Sequence, residues 1–335
     1  MSAADPLAGV ERRLSRHVRS WPEVTRRALA PYAGGRPARQ TLTATERERY
    51  WTLLPQWLWS AGGGGKGAAD RDFLDDVLWA QYCLFLFVRI HDDLLDGQAR
   101  DASLVFVADD LLVECQRTFA AHLPRMRFQA LLLEHLETTF RAILRVDALQ
   151  ARPAGMSEAA LPLYASVSAI FKVGSAAVCL KRGRWKLFPR VAAFCDHMAI
   201  AGQILDDLFD VEEDLDRGRF NFAANVLLPG RAARAAHRSR HLARGVLREN
   251  GVARLLASVL RHVDQAGDAI APARIPGVGR CLDTMRRQLD RLDDAVHRAR
   301  VQFLLHGAGL RLPVDDRRGR ADSFSAPPGA PRLHR

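Results

Sequence analysis

The stretch VLWAQYCLFLFVRIHDDLLDG (77–97) decides the fold. From Val77 to Val88 it is apolar on every side, which is the pattern of a helix inside a bundle. The run is too short to span a bilayer, which takes about 20 apolar residues. Three carboxylates, Asp92, Asp93 and Asp96, then crowd the end of the run just before Gly97. The last turn of a helix already carries partial negative charge, so each acid there costs about 0.3–1 kcal/mol. A positive charge must compensate for them.

The same arrangement recurs in AIAGQILDDLFDVEEDLDRGRFNF (199–222). Asp206, Asp207, Asp210 and Asp214 follow an apolar half-helix, and Gly218 follows them. At about 100° per residue, Asp206, Asp210 and Asp214 form one stripe, as do Asp92 and Asp96. Like charges at this spacing repel. A single cluster of this kind reads as a solvated helix end. Two clusters, flanked by Phe85, Phe87, Leu94 and Leu95 and by Ile204, Leu205, Leu208 and Phe209, read differently. Partly buried carboxylates need a hard cation, and Mg²⁺ prefers carboxylate oxygens with positions left open for water and phosphate. Two facing clusters would hold Mg²⁺ and clamp a diphosphate between them.

The rest of the chain supports an all-α fold. It has 335 residues, 48% of them hydrophobic, with Ala, Leu and Arg throughout and few period-two Val/Ile/Thr runs. Helices are expected at about 45–60, 71–96, 101–121, 125–149, 157–180, 188–216, 231–250, 251–269 and 277–306. Residues 46–310 make one helical domain, 1–45 a basic N-terminal extension and 311–335 a disordered basic tail. The net charge of +11 lies mostly in the ends: +5 in residues 1–50 and +3 in 311–335. It therefore does not make the middle a nucleic-acid binder. The five cysteines stand singly, with no zinc spacing, and behave as small hydrophobes. The N-terminus lacks the apolar stretch of a signal peptide, and the expected location is cytoplasmic. The aromatic residues at 51, 57, 79, 85 and 87 are read as core.

These residues carry a resemblance. HDDLLD (91–96) resembles the first DDxxD motif of the class I isoprenoid synthases, which include polyprenyl synthases, squalene/phytoene synthases and class I terpene synthases. GQILDDLFD (202–210) is similar to the second aspartate-rich motif of polyprenyl synthases. DVEEDLDRGR (210–219) is similar to that of phytoene synthases, and FKVGSA (171–176) resembles the lysine signature between the motifs. The resemblance covers about 50–305. It implies an all-α bundle around a deep apolar cavity and an allylic prenyl diphosphate substrate. Asp92, Asp93 and Asp96 would hold Mg²⁺ on one wall. Asp206, Asp207, Asp210 and Asp214 would do so on the other, for three ions in all. Lys172, Arg217 and Arg219 would bind diphosphate oxygens, and Gln203 would support the second cluster from behind. Dimers are common among such proteins, so a homodimer is compatible with the reading.

The departures also carry weight. The basic GGKxxRP segment that holds the second substrate of chain-elongating enzymes is missing from TERERYWTLLPQWL (45–58), where Arg47 and Arg49 are loose substitutes. The RRG after the first motif is replaced by DGQARDAS (96–103). Terpene synthase-like cyclisation or elimination is therefore favoured over polyprenyl elongation, with head-to-head condensation also open. Two readings of another class compete. His91-Asp92 could belong to an HD-type metal phosphohydrolase, but that leaves the second cluster unexplained. A non-catalytic binding subunit would be expected to have lost one of the clusters.

Overall fold

The fold is given by a computed structural model, which describes residues 6–23, 25–27, 29, 46–63, 67–95, 97, 99, 101–123, 125–152, 156–228 and 250–307. No strand occurs among them. The helices are α1 (Pro6–His17), α2 (Glu46–Ala61), α3 (Ala68–Leu95), α4 (Leu104–Ala120), α5 (Arg125–Gln150) and α6 (Pro162–Val167). They continue as α7 (Val173–Lys181), α8 (Phe188–Phe209), α9 (Val211–Asp216), α10 (Phe222–Leu227), α11 (Gly251–Ile270) and α12 (Pro276–Gly307).

Helix α3 runs through the interior, as its apolar sequence requires. Every residue from Val77 to Leu84 is buried, and the helix lies against α1, α2, α4 and α7. Helix α8 is the second interior helix, packed chiefly on α11 and α6. The five cysteines form no disulfide and are buried in the apolar core. Among the described residues no single helix is long and apolar enough to cross a membrane.

Three boundaries differ from the sequence expectation. The stretch expected as one helix at 157–180 is broken at Ser168, whose backbone leaves the helical region (φ −90°, ψ 7°). Side chains of neighbouring helices hold the break open. The Ile170 N–H donates to Thr139 Oγ1 at 3.2 Å, and the Gly174 N–H donates to Gln81 Oε1 at 2.9 Å. Gly174 has no room for a side chain, since a Cβ there would lie 2.6 Å from that same Gln81 oxygen. The stretch expected as one helix at 188–216 turns at Asp210 (φ −97°, ψ 4°), which separates α8 from α9. Finally, α1 belongs to the core rather than to an extension. Its Val10 and Leu14 are buried, and Arg13 pairs with Asp76 of α3 and reaches Glu114 of α4 at 3.5 Å. The helix expected at 231–250 and the tail from 311 lie outside the described residues.

Candidate active site

Asp92 of the first aspartate cluster, but not Asp93, lines one cavity of about 740 Å³ together with the second cluster, within the size range of small-molecule sites. Helices α2, α3, α5, α6, α8 and α9 line it, together with the turn Ala169–Lys172. Its carboxylates are Asp92 on one wall, Asp206, Asp207, Asp210 and Asp214 on the other, and Asp147 of α5. Much of the remainder is apolar, including Trp51, Phe85, Phe171, Ile143, Val167 and Met198. Trp51, Phe85 and Phe171 form a cluster of three rings, with centroids 4.7 Å (Trp51–Phe85), 5.0 Å (Trp51–Phe171) and 6.4 Å (Phe85–Phe171) apart. Two of the aromatics read as core thus face the cavity. Trp79 and Phe87 are buried as expected, and the Trp79 Nε1–H donates to Glu114 at 3.0 Å.

The first wall is the C-terminal turn of α3. The chain leaves the helix through Gly97 at φ +67°, a left-handed conformation that favours glycine. The Gly97 N–H donates to the Leu94 carbonyl and the Ala99 N–H to the Asp93 carbonyl, at 3.2 and 2.9 Å. The missing positive charge sits one turn back. Arg89 pairs with Asp93 at 2.9 Å and with Asp92 at 3.6 Å, and it is also one of the residues lining the cavity. The spacing of i to i+3 and i+4 was legible in RIHDD, but the sequence reading assigned the compensation to metal. Asp96 lies outside the described residues. His91 uses Nδ1–H to donate to the Phe87 carbonyl at 2.8 Å, so that nitrogen is committed to its own helix.

The second wall is built from behind. Asp207 is buried, and three donors hold its carboxylate: the Tyr164 hydroxyl at 2.6 Å, the Phe222 N–H at 2.9 Å and the Gln203 amide at 3.2 Å. Burial outweighs these donors and pushes its carboxyl up to about 7. Asn221 ties the cluster together. Its amide donates to the Asp207 carbonyl at 3.0 Å and to the Asp214 carboxylate at 2.7 Å. Its side-chain oxygen accepts the Ala224 N–H at 2.8 Å and caps α10. The stripe survives the turn at Asp210. The Asp210 N–H donates to the Asp206 carbonyl and the Asp214 N–H to the Asp210 carbonyl, at 2.9 and 2.8 Å. Burial first, and then the charges of Asp206, Asp214 and Glu213, push the Asp210 carboxyl up to about 6. Tyr164 and Asn221 were not foreseen, because nothing local in their sequence marks them.

The predicted phosphate-binding cations are divided. Lys172 does not line the cavity; it forms an ion pair with Asp196. Arg217 does not line it either and pairs with Glu213 at 2.6 Å. Arg219 does line it and is held by Asp147 at 2.9 Å. Arg89 and Arg219 are the basic side chains that line this cavity among the described residues.

The donor set suits a hard divalent cation in its chemistry. Carboxylates from two walls line one space, where burial first and then the neighbouring acids raise the Asp210 carboxyl. Among the described residues no three His, Cys, Asp or Glu side chains converge to hold an ion by themselves.

The chain matches no family model and no curated protein. Among solved structures it is similar to a polyprenyl synthase, ISP_B, from Roseobacter denitrificans. The TM-score is 0.57 at 15% sequence identity, over 84% of this chain and 99% of that one. The likeness establishes an isoprenoid synthase-like helical fold.

Proposed function

We propose that this protein is a Mg²⁺-dependent isoprenoid synthase that ionises an allylic prenyl diphosphate to a carbocation. One observation carries the reading: two carboxylate walls face a single cavity whose remaining surface is largely apolar and aromatic. Asp92, Asp206, Asp210 and Asp214 would hold the metal, with Asp93 and Asp96 completing the first motif. When bound, Mg²⁺ supplies Lewis-acid neutralisation of charge on the departing diphosphate. The protein does the rest. Arg219 offers a guanidinium to the diphosphate oxygens. Asn221 and Tyr164 fix the second wall, so its carboxylates need no rearrangement as charge develops. Trp51, Phe85 and Phe171 exclude water from the prenyl chain and turn aromatic faces toward a developing cation.

Cyclisation or elimination of one substrate is favoured, because the basic segments that would hold a second diphosphate are missing from the sequence. Chain elongation is the second reading, favoured by the description of the structural neighbour as a polyprenyl synthase. The test is purified protein with Mg²⁺ and the C10, C15, C20 and C25 allylic diphosphates, each with and without isopentenyl diphosphate. Diphosphate release and extractable products are scored. Hydrocarbon or alcohol from one substrate alone supports the first reading. Longer diphosphates made only with isopentenyl diphosphate support the second. The Asp92→Ala/Asp206→Ala double variant should lose at least about 100-fold in rate, the scale of losing a preorganised electrostatic contact. Absence of metal-dependent release from every substrate would sink both.

A further inference from the structure

The segment KRGRWKLFPR (181–190) places five cations in ten residues, and no acid occurs between Glu158 and Asp196. In the fold it makes the turn from α7 into α8. Arg182 donates to the Gly62 carbonyl and lies over Trp59, 4.8 Å from the ring centroid. Arg184 reaches the same point, since a Cβ on Gly62 would lie 3.2 Å from its Nη1. Lys181 lies over Phe73 of α3 at 5.2 Å, and Arg127 of α5 over Trp185 at 5.4 Å. Lys181, Lys186, Arg190 and Arg127 are exposed. Among the described residues none of these six cations forms an ion pair. The acids on either side of Phe73, namely Asp72, Asp75 and Asp76, line a crevice with Arg12, Arg13 and Arg16 of α1.

Helices α3, α5 and α8 begin at this patch and end at the cavity. Phe73 to Asp92, Arg127 to Asp147 and Phe188 to Asp206 are steps of 19, 20 and 18 residues, about 27–30 Å along the helix axes. The bundle therefore carries positive charge at one end and the carboxylate walls at the other. We propose that the basic end is a docking surface for an anionic lipid bilayer, which holds the molecule with its carboxylate walls turned to water. Charge selects both partner and orientation, because an anionic surface attracts this end and repels the other. Trp185 adds the kind of ring that membrane interfaces favour. It is half-buried, stacked on Phe188 at 4.7 Å and covered by Arg127. The ring is thus already engaged and is not a free platform for a nucleic-acid base. A bilayer is also where a prenyl chain partitions, so this occupant agrees with the reaction proposed above without depending on it.

The experiment uses the full chain, with melting curves to verify that each variant is folded. Partition is measured by sedimentation with vesicles of phosphatidylcholine alone and of phosphatidylcholine with half replaced by phosphatidylglycerol. The wild type should bind the anionic vesicles and not the neutral ones. Binding should vanish between about 0.1 and 1 M NaCl, as the Debye length falls from about 10 to 3 Å. Lys181→Gln/Lys186→Gln/Arg190→Gln should weaken it at least about tenfold, the scale of three charges lost at the surface. Arg317→Gln/Arg318→Gln/Arg320→Gln removes as much charge from the C-terminal tail, outside the described residues, and should weaken it far less. Brominated phosphatidylcholine in the vesicles should quench tryptophan fluorescence, and Trp185→Phe should lose most of that quenching. Equal losses in the two triple variants, quenching that survives Trp185→Phe, or no binding of the wild type to anionic vesicles overturns the proposal. So does duplex DNA that binds the wild type more tightly than vesicles do and is lost in the Lys181/Lys186/Arg190 variant, which assigns the surface to nucleic acid. Mg²⁺-dependent diphosphate release is read separately in vesicle-free buffer, so failure of the docking surface and failure of the proposed reaction are distinguishable.

Discussion

The two aspartate walls look alike in sequence and are built on opposite principles. The first is a helix end balanced by charge. Asp92 is half-exposed and Arg89 supplies its counter-ion from the same turn. The second is a buried hydrogen-bonded frame. Tyr164, Gln203, Asn221 and the Phe222 N–H reach it from three other positions in the chain and hold Asp207 behind the exposed stripe of Asp206 and Asp210. A wall held by buried hydrogen bonds gives the site a fixed reference surface.

Substitutions should separate the two. The largest effect is expected at Asp207→Ala, which leaves a buried hydroxyl, an amide and a backbone N–H without their acceptor. It should cost about 3 kcal/mol in urea denaturation, while Asp92→Ala stays within about 0.5 kcal/mol of wild type. Equal losses at both would erase the distinction. Asn221→Ala comes next. Losing the cap of α10 and two donors should cost about 2 kcal/mol. It should also slow diphosphate release with little change in KM, because the frame shapes the site and does not contact the prenyl chain.

The smallest effect concerns pH. The fold raises the Asp210 carboxyl from its ordinary 3.8 to about 6, so the folded state holds this proton more tightly than the unfolded chain does. The group's support for folding is full below about pH 4 and is lost as pH rises through about 6. Asp210→Asn removes that loss. Its stability should match wild type near pH 4 and exceed it by about 0.5 kcal/mol at neutral pH, after allowing for solvent screening. A stability gap that is constant with pH would show that the crowding of charge at this wall is not felt.

By itself the sequence determined the helical class, the two interior helices and the positions of both acid clusters. These depend on short-range patterns: the all-round apolar run from Val77 to Val88, the i, i+4, i+8 stripe from Asp206 to Asp214, and the glycines that close each motif. Gly97 and Gly218 do adopt positive φ, +67° and +71°. Tertiary structure alone decided which side chains face the cavity. Periodicity places Trp51 and Phe85 on apolar faces, but a core and the wall of a cavity are equally apolar. Lys172 has the right spacing for a phosphate ligand, yet Asp196, twenty-four residues on in the chain, pairs with it instead. Tyr164 and Asn221 are separated in sequence from Asp207 and meet it only once α6, α8 and α10 are packed together. A local pattern records what a helix needs along its own axis. Apart from the Gln203–Asp207 bond within α8, which the sequence does record, the hydrogen bonds that build the second wall come from other elements, and no local pattern records them.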